Sequence, residues 1–319
     1  MSTLAEPVEP VEVVEASAGR TRHGVLLQVL KDRPSALVGA VTVAIIILLA
    51  VFAPLLAPYS PTEQSGVSFC HPSTQHWLGC DDGGIDMLTL LMFGARVSLI
   101  VGTAATAVAM VIGGGIGVIS GYYGGATDIT LMRITDYFLV IPDIPLMIVA
   151  AALYGGSLKN IIIIIGILLW TGTARVIRAQ VKSVKERVYV RRSRSLGAGN
   201  TRIISKHVLP QVMPLLMANT VLMVAVAIFD ETALAFLGLG DPTRVSWGTL
   251  IENAGNRSAI SVGAWWAIIP PGVAVGILCL ALMMWGTAIE DALNPRLKVS
   301  HLSARLFRLR PRPAREASR

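Results

Sequence analysis

Four long runs of this chain carry no charged residue, and they constrain its fold more than any other feature. They cover Pro34–Thr62, Val97–Thr127, His207–Phe229 and Ser258–Ile289. Each run is longer than the ~20 residues that an α-helix needs to cross the hydrocarbon core of a bilayer. Only 15% of the 319 residues are charged and 53% are hydrophobic, whereas soluble domains carry about 25% charged residues. The sequence therefore predicts an integral membrane protein.

Two shorter apolar segments bring the number of predicted transmembrane helices to six. One covers about Leu131–Tyr154 and contains Arg133, Asp136 and Asp143, and the other covers about Asn160–Ala174. Backbone polar groups in hydrocarbon must be satisfied within their own segment, and the runs lack the apolar and polar alternation of a membrane β-barrel. The predicted fold class is all-α, with six transmembrane helices.

The basic residues indicate the orientation of these helices. If the N-terminus lies inside, all but four of the 27 Lys and Arg residues fall on inner segments. The four on outer segments are Arg96, Lys159, Arg244 and Arg257. Because basic residues concentrate on the cytoplasmic side, we expect both termini to be cytoplasmic. This asymmetry accounts for most of the net charge of +7, so the charge does not call for a nucleic-acid partner.

The composition divides the chain into a membrane domain and two tails. Residues 1–23 are acidic, repeat Val-Glu-Pro and are interpreted as a disordered tail. The first apolar run is too long for a signal peptide and is expected to remain as an uncleaved anchor. Residues 24–298 form the predicted membrane domain. Residues 299–319 form a basic tail that we expect to lie near anionic lipid headgroups.

Two of the three cysteines, Cys70 and Cys80, lie in the first predicted outer loop, at about residues 58–94. A disulfide that closes part of this loop is plausible on the oxidising side of a membrane. Zinc is the rival interpretation, because His71 and His76 lie in the same segment. The spacing matches no familiar zinc-ligand pattern, so no metal site is predicted.

The largest inner loop, at about residues 175–214, distinguishes between classes of membrane protein. The chain has no phosphate-binding loop and no zinc-protease or serine-hydrolase motif, so it is not expected to be an enzyme. The loop has helix-compatible stretches on both sides of a Leu196–Gly199 turn. Four apolar residues are available to form a protruding knob: Val184, Val188, Leu196 and Ile203. A helical hairpin of this kind is predicted to dock onto a partner.

This loop resembles the cytoplasmic "EAA" loop of ABC-importer permeases. Its matching residues are Tyr189-Val190, Leu196-Gly197-Ala198, Arg202-Ile203-Ile204 and His207-Val208-Leu209-Pro210. Further motifs match the C-type permease subunit of the dipeptide, oligopeptide and nickel importers, and they occur in the same order. They include His76–Gly79, Gly94–Leu99, Gly121-Tyr122, Ala235–Gly240, Ser246-Trp247-Gly248 and Asn294–Leu297. The resemblance covers about residues 24–298.

The resemblance implies an ABC type I importer permease fold and transport by alternating access. The implied partners are a homologous B-type permease, one or two ABC ATPase subunits that bind ATP and Mg, an extracytoplasmic substrate-binding protein and the bilayer of the bacterial cytoplasmic membrane. This chain itself is expected to bind no cofactor. The implied cargo is dipeptides or oligopeptides, and nickel is the alternative within the family. An ion-coupled secondary transporter and a membrane scaffold are rival classes.

Coupling to the ATPase is assigned to the inner loop by the same resemblance. The candidate residues are Arg191, Arg192, Ser193, Leu196, Gly197, Ala198, Leu209 and Pro210. The triplet Arg191-Arg192-Ser193 stands where the family usually has Glu-Ala-Ala, so we expect acidic residues on the partner. Cys80 stands where threonine is usual, which supports the Cys70–Cys80 disulfide.

Candidate residues for the translocation path are the ionisable groups in or near the predicted helices. These are Asp136, Asp143, Asp230 and Glu231, and a predicted outer mouth adds Phe236, Gly238, Gly240 and Trp247 together with the outer loop at 241–262. Asp136 is expected to pair with Arg133, one helical turn away. Trp247, Trp265 and Trp266 are expected to anchor the outer membrane interface. The glycines at 113–115 and 117 are predicted to form a helix-packing surface.

Overall fold

A computed structural model describes residues 34–293, and both predicted tails lie outside this range. The described residues form eleven α-helices: α1 Pro34–Val51, α2 Ala53–Leu56, α3 Met87–Tyr123, α4 Gly125–Val140, α5 Asp143–Tyr154, α6 Leu158–Lys185, α7 Val188–Ser195, α8 Asn200–Ile203, α9 Leu209–Leu234, α10 Trp247–Asn256 and α11 Ile269–Leu293. Two π-helical turns, Ile204–Val208 and Ala235–Leu239, flank α9, and a 3₁₀ turn precedes α11. The predicted all-α fold is confirmed.

Five helical spans within the described residues are long and apolar enough to cross a membrane. They are α1, α3, α6, the stretch Asn200–Leu239 that contains α9, and the stretch Trp265–Ala292 that contains α11. The pair α4 and α5 passes the same test only when both helices are taken together. Counting this pair as one span gives the six predicted spans.

The pair α4–α5 is bent by 84°, where the sequence suggested a single helix over Leu131–Tyr154. The break falls at Ile141, whose φ of −79° and ψ of 125° are extended. Proline disfavours helical geometry in the residue that precedes it, and Pro142 follows Ile141 directly. The bend is therefore a local consequence of the Ile-Pro pair.

Several helix boundaries differ from the prediction. The second span begins at Met87 rather than Val97, because the Asp86 side chain caps it by accepting a hydrogen bond from Thr89 N at 2.8 Å. The predicted outer loop before it therefore ends at residue 86 rather than at about residue 94. The helix expected to end at Ala174 continues to Lys185, and the connection from α6 to α9 covers residues 186–208.

Glycines let α3 and α6 pack with their backbones in contact. A Cβ atom added to Gly117 would lie 2.7 Å from Ala174 O, and one added to Gly121 would lie 2.8 Å from Val181 Cβ. Gly113 faces Trp170 O even more closely, whereas Gly115 has no atom in the way of a Cβ. The predicted packing surface thus uses the glycines at 113, 117 and 121, which are four residues apart and share one helix face.

The remaining spans pack around this pair. α9 packs against α3, α6 and α11, and α11 packs in turn against α1. One apolar cluster joins α1, α3, α9, α10 and α11, a second joins α3, α5, α6 and α9, and a third lies beneath the segment between α6 and α9. That third cluster connects the membrane-spanning helices to the hairpin described next.

Candidate functional site

The connection from α6 to α9 folds into a helical hairpin made of α7, a short turn and α8. Gly197 occupies the turn with a φ of +82°, a conformation that glycine adopts without the steric penalty of a side chain. Leu196 N and Gly197 N donate hydrogen bonds to Arg192 O and Arg194 O and close the end of α7. The geometry of the turn therefore depends on Gly197.

The hairpin presents two of the four predicted knob residues. Val188 and Leu196 are each 81% exposed, whereas Val184 and Ile203 are fully buried. The two buried side chains pack with Val190, Val208 and neighbouring apolar residues. The prediction of a protruding knob is therefore wrong for Val184 and Ile203, which anchor the hairpin. Only Val188 and Leu196 project from it.

Tyr122, at the end of α3, connects the hairpin to the membrane spans. Its ring is buried, and its hydroxyl donates a hydrogen bond to Asn200 Oδ1 at 2.9 Å. The Arg194 guanidinium lies 5.6 Å from the centre of the same ring, a cation–π distance. Lys185 Nζ donates to Tyr122 O at 3.1 Å. The residues on both sides of the hairpin turn thus contact the end of α3.

The Arg191-Arg192-Ser193 triplet lies on α7. Arg191 forms an exposed ion pair with Glu186 at 2.5 Å, and this guanidinium holds the pKa of the Glu186 carboxyl below its usual value. Arg192 is exposed. Ser193 Oγ lies 3.3 Å from His207 Nε2, in the π-helical turn before α9. The hairpin surface is consequently basic around two exposed apolar side chains.

Of the other predicted coupling residues, Ala198 is half-buried against the apolar cluster beneath the hairpin. Leu209 and Pro210 begin α9. They directly follow the π-helical turn Ile204–Val208, and the chain stays helical from Asn200 to Leu239. The two residues therefore lie within one continuous helical stretch that joins the hairpin to the span.

Asp128 in α4 forms the most connected ion-pair cluster close to the hairpin. Its carboxylate receives hydrogen bonds from Arg178 Nη2 at 2.7 Å, from Lys182 Nζ at 2.6 Å and from Ser120 Oγ. The residue is 7% exposed. Asp128 was not among the candidate residues from the sequence, although the spacing of Arg178 and Lys182 by four residues on one helix face was a usable signal.

The acidic candidates for a translocation path fall into separate environments. Asp136 pairs with Arg175 of α6 at 2.6 Å, so the expected pair with Arg133 is wrong. Both side chains of the observed pair are about half exposed, and the position of α6 beside α4 brings them together. Asp143 is exposed at the start of α5, directly after the bend.

Asp230 and Glu231 are both buried near the C-terminal end of α9, at 3% exposure each. Glu231 accepts a hydrogen bond from Ser98 Oγ of α3 at 3.0 Å. Asp230 Oδ2 has no hydrogen-bond partner among the described residues. Glu231 thus connects α3 and α9, whereas Asp230 is buried without such a connection among the described residues.

The predicted outer mouth is partly exposed and partly core. Phe236 is half exposed, and Gly238 turns the chain after α9 with a φ of +78°. A Cβ on Gly240 would lie 3.0 Å from Ala235 Cβ. Trp247 is 2% exposed, and its Nε1 donates to Leu91 O at 2.9 Å.

The expectation that three tryptophans anchor the membrane interface is wrong for Trp247 and Trp266. Trp266 is 3% exposed, and its Nε1 donates to Cys80 O at 3.1 Å. Trp265 is 55% exposed. Each of the two buried indole N–H groups donates a hydrogen bond to a backbone carbonyl, and this bond permits its burial.

Asp241 fastens the segment after α9 to the start of α6. Its carboxylate accepts from Leu158 N at 2.9 Å and from Thr243 Oγ1 at 2.6 Å. Burial acts to raise the pKa of Asp241, but these hydrogen bonds outweigh it and hold the pKa below its usual value. This contact joins two connections at the same end of the bundle.

The structure brings together the cysteines of the predicted disulfide. Cys70 and Cys80 are bonded through their sulfurs, with Cα atoms 4.9 Å apart. Cys80 N also donates to Cys70 O at 3.0 Å. His76 lies between them in sequence and pairs with Asp86 at 3.0 Å. The loop is thus closed covalently in front of α3.

A bundle of apolar spans, one of them broken, and a basic hairpin that exposes apolar side chains together are typical of a multi-pass membrane protein. Comparison with known proteins identifies the family. Residues 113–299 match the family described as binding-protein-dependent transport system inner membrane component. Residues 25–68 match the N-terminal TM domain of oligopeptide transport permease C. The chain belongs to this family of ABC-transporter permeases of the bacterial inner membrane.

Three curated relatives illustrate the similarity. The chain is 36% identical to the dipeptide transport system permease protein DppC of Alkalihalophilus pseudofirmus, over 84% of this chain and 88% of that protein. It is 35% identical to the oligopeptide transport system permease protein OppC of Bacillus subtilis, over 82% and 86%. It is also 35% identical to the di/tripeptide transport system permease protein DppC of Pseudomonas aeruginosa, over 82% and 88%.

Proposed function

We propose that this chain is the permease subunit of an ATP-driven importer that moves dipeptides or oligopeptides into the cytoplasm. The observation that carries this proposal is similarity over more than four fifths of the chain to permeases named for dipeptide and oligopeptide transport. The exposed hairpin supplies the surface through which a separate ATPase would act. ATP and Mg would bind to that partner and not to this chain.

The proposal includes an orientation and a set of partners. Both termini and the α7–α8 hairpin lie in the cytoplasm, because the hairpin region is rich in Lys and Arg. The disulfide loop and α10 then lie on the outer side, where a substrate-binding protein delivers the cargo. A homologous B-type permease supplies the other half of the translocation path, since this chain is one subunit of an assembly.

The hairpin would seat in a groove of the ATPase through Val188 and Leu196. Both side chains are 81% exposed, and burying them against a partner removes apolar surface from water. Arg191 and Arg192 flank this tip, so the rim of the matching groove is acidic. Complementary charge at the rim acts mainly on the choice of partner and on the association rate.

Movement of the hairpin would reach α3 first, and contacts between the spans would carry it to α6 and α4. Tyr122 joins the hairpin to the end of α3, and the glycine contacts hold α3 against α6. Asp128 adds α4 to this pair through Arg178 and Lys182. Since packed interfaces of this kind move as units, closure of the ATPases would move α3, α4 and α6 together and switch the cavity between its inner and outer openings.

Asp230 and Asp143 are the acidic groups that we assign to the path. A buried carboxylate without a partner is costly in an apolar interior, and Asp230 Oδ2 is such a group among the described residues. The α-amino group of a peptide is a cation of suitable charge to meet these two carboxylates. Asp136 and Glu231 already have protein partners, so we assign them structural roles.

The hairpin turn provides a test with a matched control. Gly197→Val places a β-branched residue at a φ of +82°, which such residues rarely adopt. Gly199→Val puts the same side chain at a φ of −65° and ψ of 155°, with no atom within 4 Å of its Cβ. In the reconstituted complex, we expect Gly197→Val to lower peptide-stimulated ATP hydrolysis at least 10-fold and Gly199→Val to change it less than 2-fold.

Membrane insertion and assembly are measured on the same samples. Equal stimulated hydrolysis by the two assembled variants would remove the hairpin turn from the coupling mechanism. Assembly is measured as the amount of ATPase that copurifies with each variant. Loss of assembly in Gly197→Val alone would support docking through the turn.

A further inference from the structure

Three potential metal ligands converge in the disulfide loop. The sulfurs of Cys70 and Cys80 and a ring nitrogen of His76 all lie within 4.8 Å of one another. Cys80 is fully buried, and the other two residues are half-buried. Two sulfurs and one imidazole nitrogen form a ligand set that is typical of zinc. The disulfide occupies both sulfurs in the structure.

His76 is held as a metal-bound histidine usually is. Its Nδ1 lies 3.0 Å from Asp86 Oδ1, and the Asp86 side chain is fixed in turn because its other oxygen accepts hydrogen bonds from Thr89 N and Thr89 Oγ1. Asp86 is 2% exposed. A carboxylate that holds one ring nitrogen orients the ring and leaves the other nitrogen to ligate a metal.

We propose that reduction of the Cys70–Cys80 disulfide converts this loop into a zinc site, with Cys70, Cys80 and His76 as ligands and water in the fourth position. The reductant is a dithiol protein of the thioredoxin class. It transfers two electrons and two protons to the disulfide, yielding two cysteine thiols and its own disulfide. Zinc binding then displaces both thiol protons to solvent, and the two thiolates balance the charge of Zn²⁺.

The site requires small movements of the side chains. Two sulfurs on a tetrahedral zinc lie about 3.8 Å apart, because each Zn–S bond is about 2.3 Å long. This separation falls within the 4.8 Å that already encloses the three ligand atoms. The sulfurs therefore separate by about 2 Å when zinc replaces the disulfide, a shift that cysteine side chains make by rotating about χ1.

The backbone around the cysteines is held independently of the disulfide. Trp266 Nε1 donates to Cys80 O at 3.1 Å, and Cys80 N donates to Cys70 O at 3.0 Å. Asp81 O accepts from Phe69 N at 2.8 Å. These contacts keep the two cysteines adjacent after reduction. The loop thus has two alternative cross-links, a disulfide under oxidising conditions and a zinc ion under reducing conditions.

His71 provides a matched control for His76. It is adjacent to Cys70 and exposed, and its ring packs at a tilt against that of Trp266, with ring centres 4.8 Å apart, rather than joining the cluster. Cys279, in α11, is the remaining cysteine of the chain. A Cys279→Ser background therefore restricts thiol chemistry to the loop.

The test is a zinc titration of the full chain in detergent against a chromophoric chelator. The Cys279→Ser chain is measured oxidised, and again after reduction with a phosphine that is removed before anaerobic titration. We expect one zinc per reduced chain and none per oxidised chain. His76→Ala is expected to weaken zinc binding at least 10-fold and His71→Ala less than 2-fold, whereas His76→Cys should restore binding by supplying another soft ligand.

Circular dichroism confirms that each reduced variant is folded before titration. Binding of zinc by the oxidised chain, failure of the folded reduced chain to bind it, or equal binding by His76→Ala and His71→Ala would overturn the proposal. Cobalt substitution gives a second measurement, since thiolate ligation produces an intense charge-transfer absorption band. The experiment uses neither peptide nor ATPase, so its outcome is independent of the proposed transport function.

Discussion

At the scale of single residues, the acidic side chains differ in the hydrogen-bond and ion-pair partners that each has in the fold. Their positions in the sequence do not reveal these differences. Asp128 accepts four hydrogen bonds, from Ser120, Arg178 and Lys182, and is 7% exposed, whereas Asp136 shares one ion pair at half exposure. Breaking a buried ion pair strands a charge, which costs far more than losing an exposed one. The two aspartates therefore form a natural comparison within one helix.

Asp128→Asn is expected to destabilise the folded chain by about 2 kcal/mol, because charge-assisted hydrogen bonds from Arg178 and Lys182 are lost while both cations keep partial access to solvent. Asp136→Asn is expected to cost about 1 kcal/mol or less. Thermal unfolding of both variants in detergent, followed by tryptophan fluorescence, measures the difference. Equal losses in the two variants would contradict the assignment of Asp128 as the main ionic connection between α4 and α6.

Some residue contacts were predictable from the sequence and others depended on the fold. The proximity of Cys70 and Cys80 follows from their short separation. The Asp136–Arg175 pair depends on how α4 lies beside α6, which the spacing to Arg133 did not reveal. Trp247 was expected at the membrane interface because of its residue type, but a carbonyl acceptor within the core allowed its burial.

At the scale of helices, apolar length predicted the existence of the spans, and local chemistry set their boundaries. The cap at Asp86 and the Ile141-Pro142 pair are both visible in the sequence. Their effect was underestimated because charge-free runs mark the hydrocarbon region and not the ends of a helix. The Ile141-Pro142 pair determines where this span breaks, whereas the size of the angle, 84°, also depends on how α4 and α5 pack against α6, so the angle did not follow from the sequence.

The contact between α3 and α6 predicts opposite effects for two glycines of one helix. Gly117→Ala places a Cβ 2.7 Å from Ala174 O, and such overpacking costs about 1–3 kcal/mol. Gly115→Ala meets no atom within 4 Å, so the higher helix propensity of alanine should stabilise it by up to about 1 kcal/mol.

Thermal unfolding of the two alanine variants in detergent measures these effects. We expect the midpoint to fall for Gly117→Ala and to rise or stay unchanged for Gly115→Ala. A fall of similar size in both variants would show that helix flexibility, and not the close approach of α6, accounts for the glycines in α3.

At the scale of the whole molecule, the chain has exposed apolar surfaces of the kind expected for one subunit of a membrane complex. Its hairpin exposes Val188 and Leu196, and its bent pair α4–α5 exposes apolar side chains on several faces. The family accounts for both features, since its members are inner membrane components of binding-protein-dependent systems. The ordered motifs already indicated this family from the sequence, whereas the division of the hairpin into anchoring and projecting residues required the structure.

The central claim is that this chain carries peptides across the membrane only when ATPase subunits and a loaded binding protein act on it. The most direct measurement is uptake of a labelled dipeptide by proteoliposomes that contain the complete complex, with ATP on the ATPase side. We predict uptake that requires both ATP and the binding protein and that falls at least 10-fold with Gly197→Val. Uptake that persists without ATP, or that Gly197→Val leaves unchanged in an assembled complex, would contradict the account.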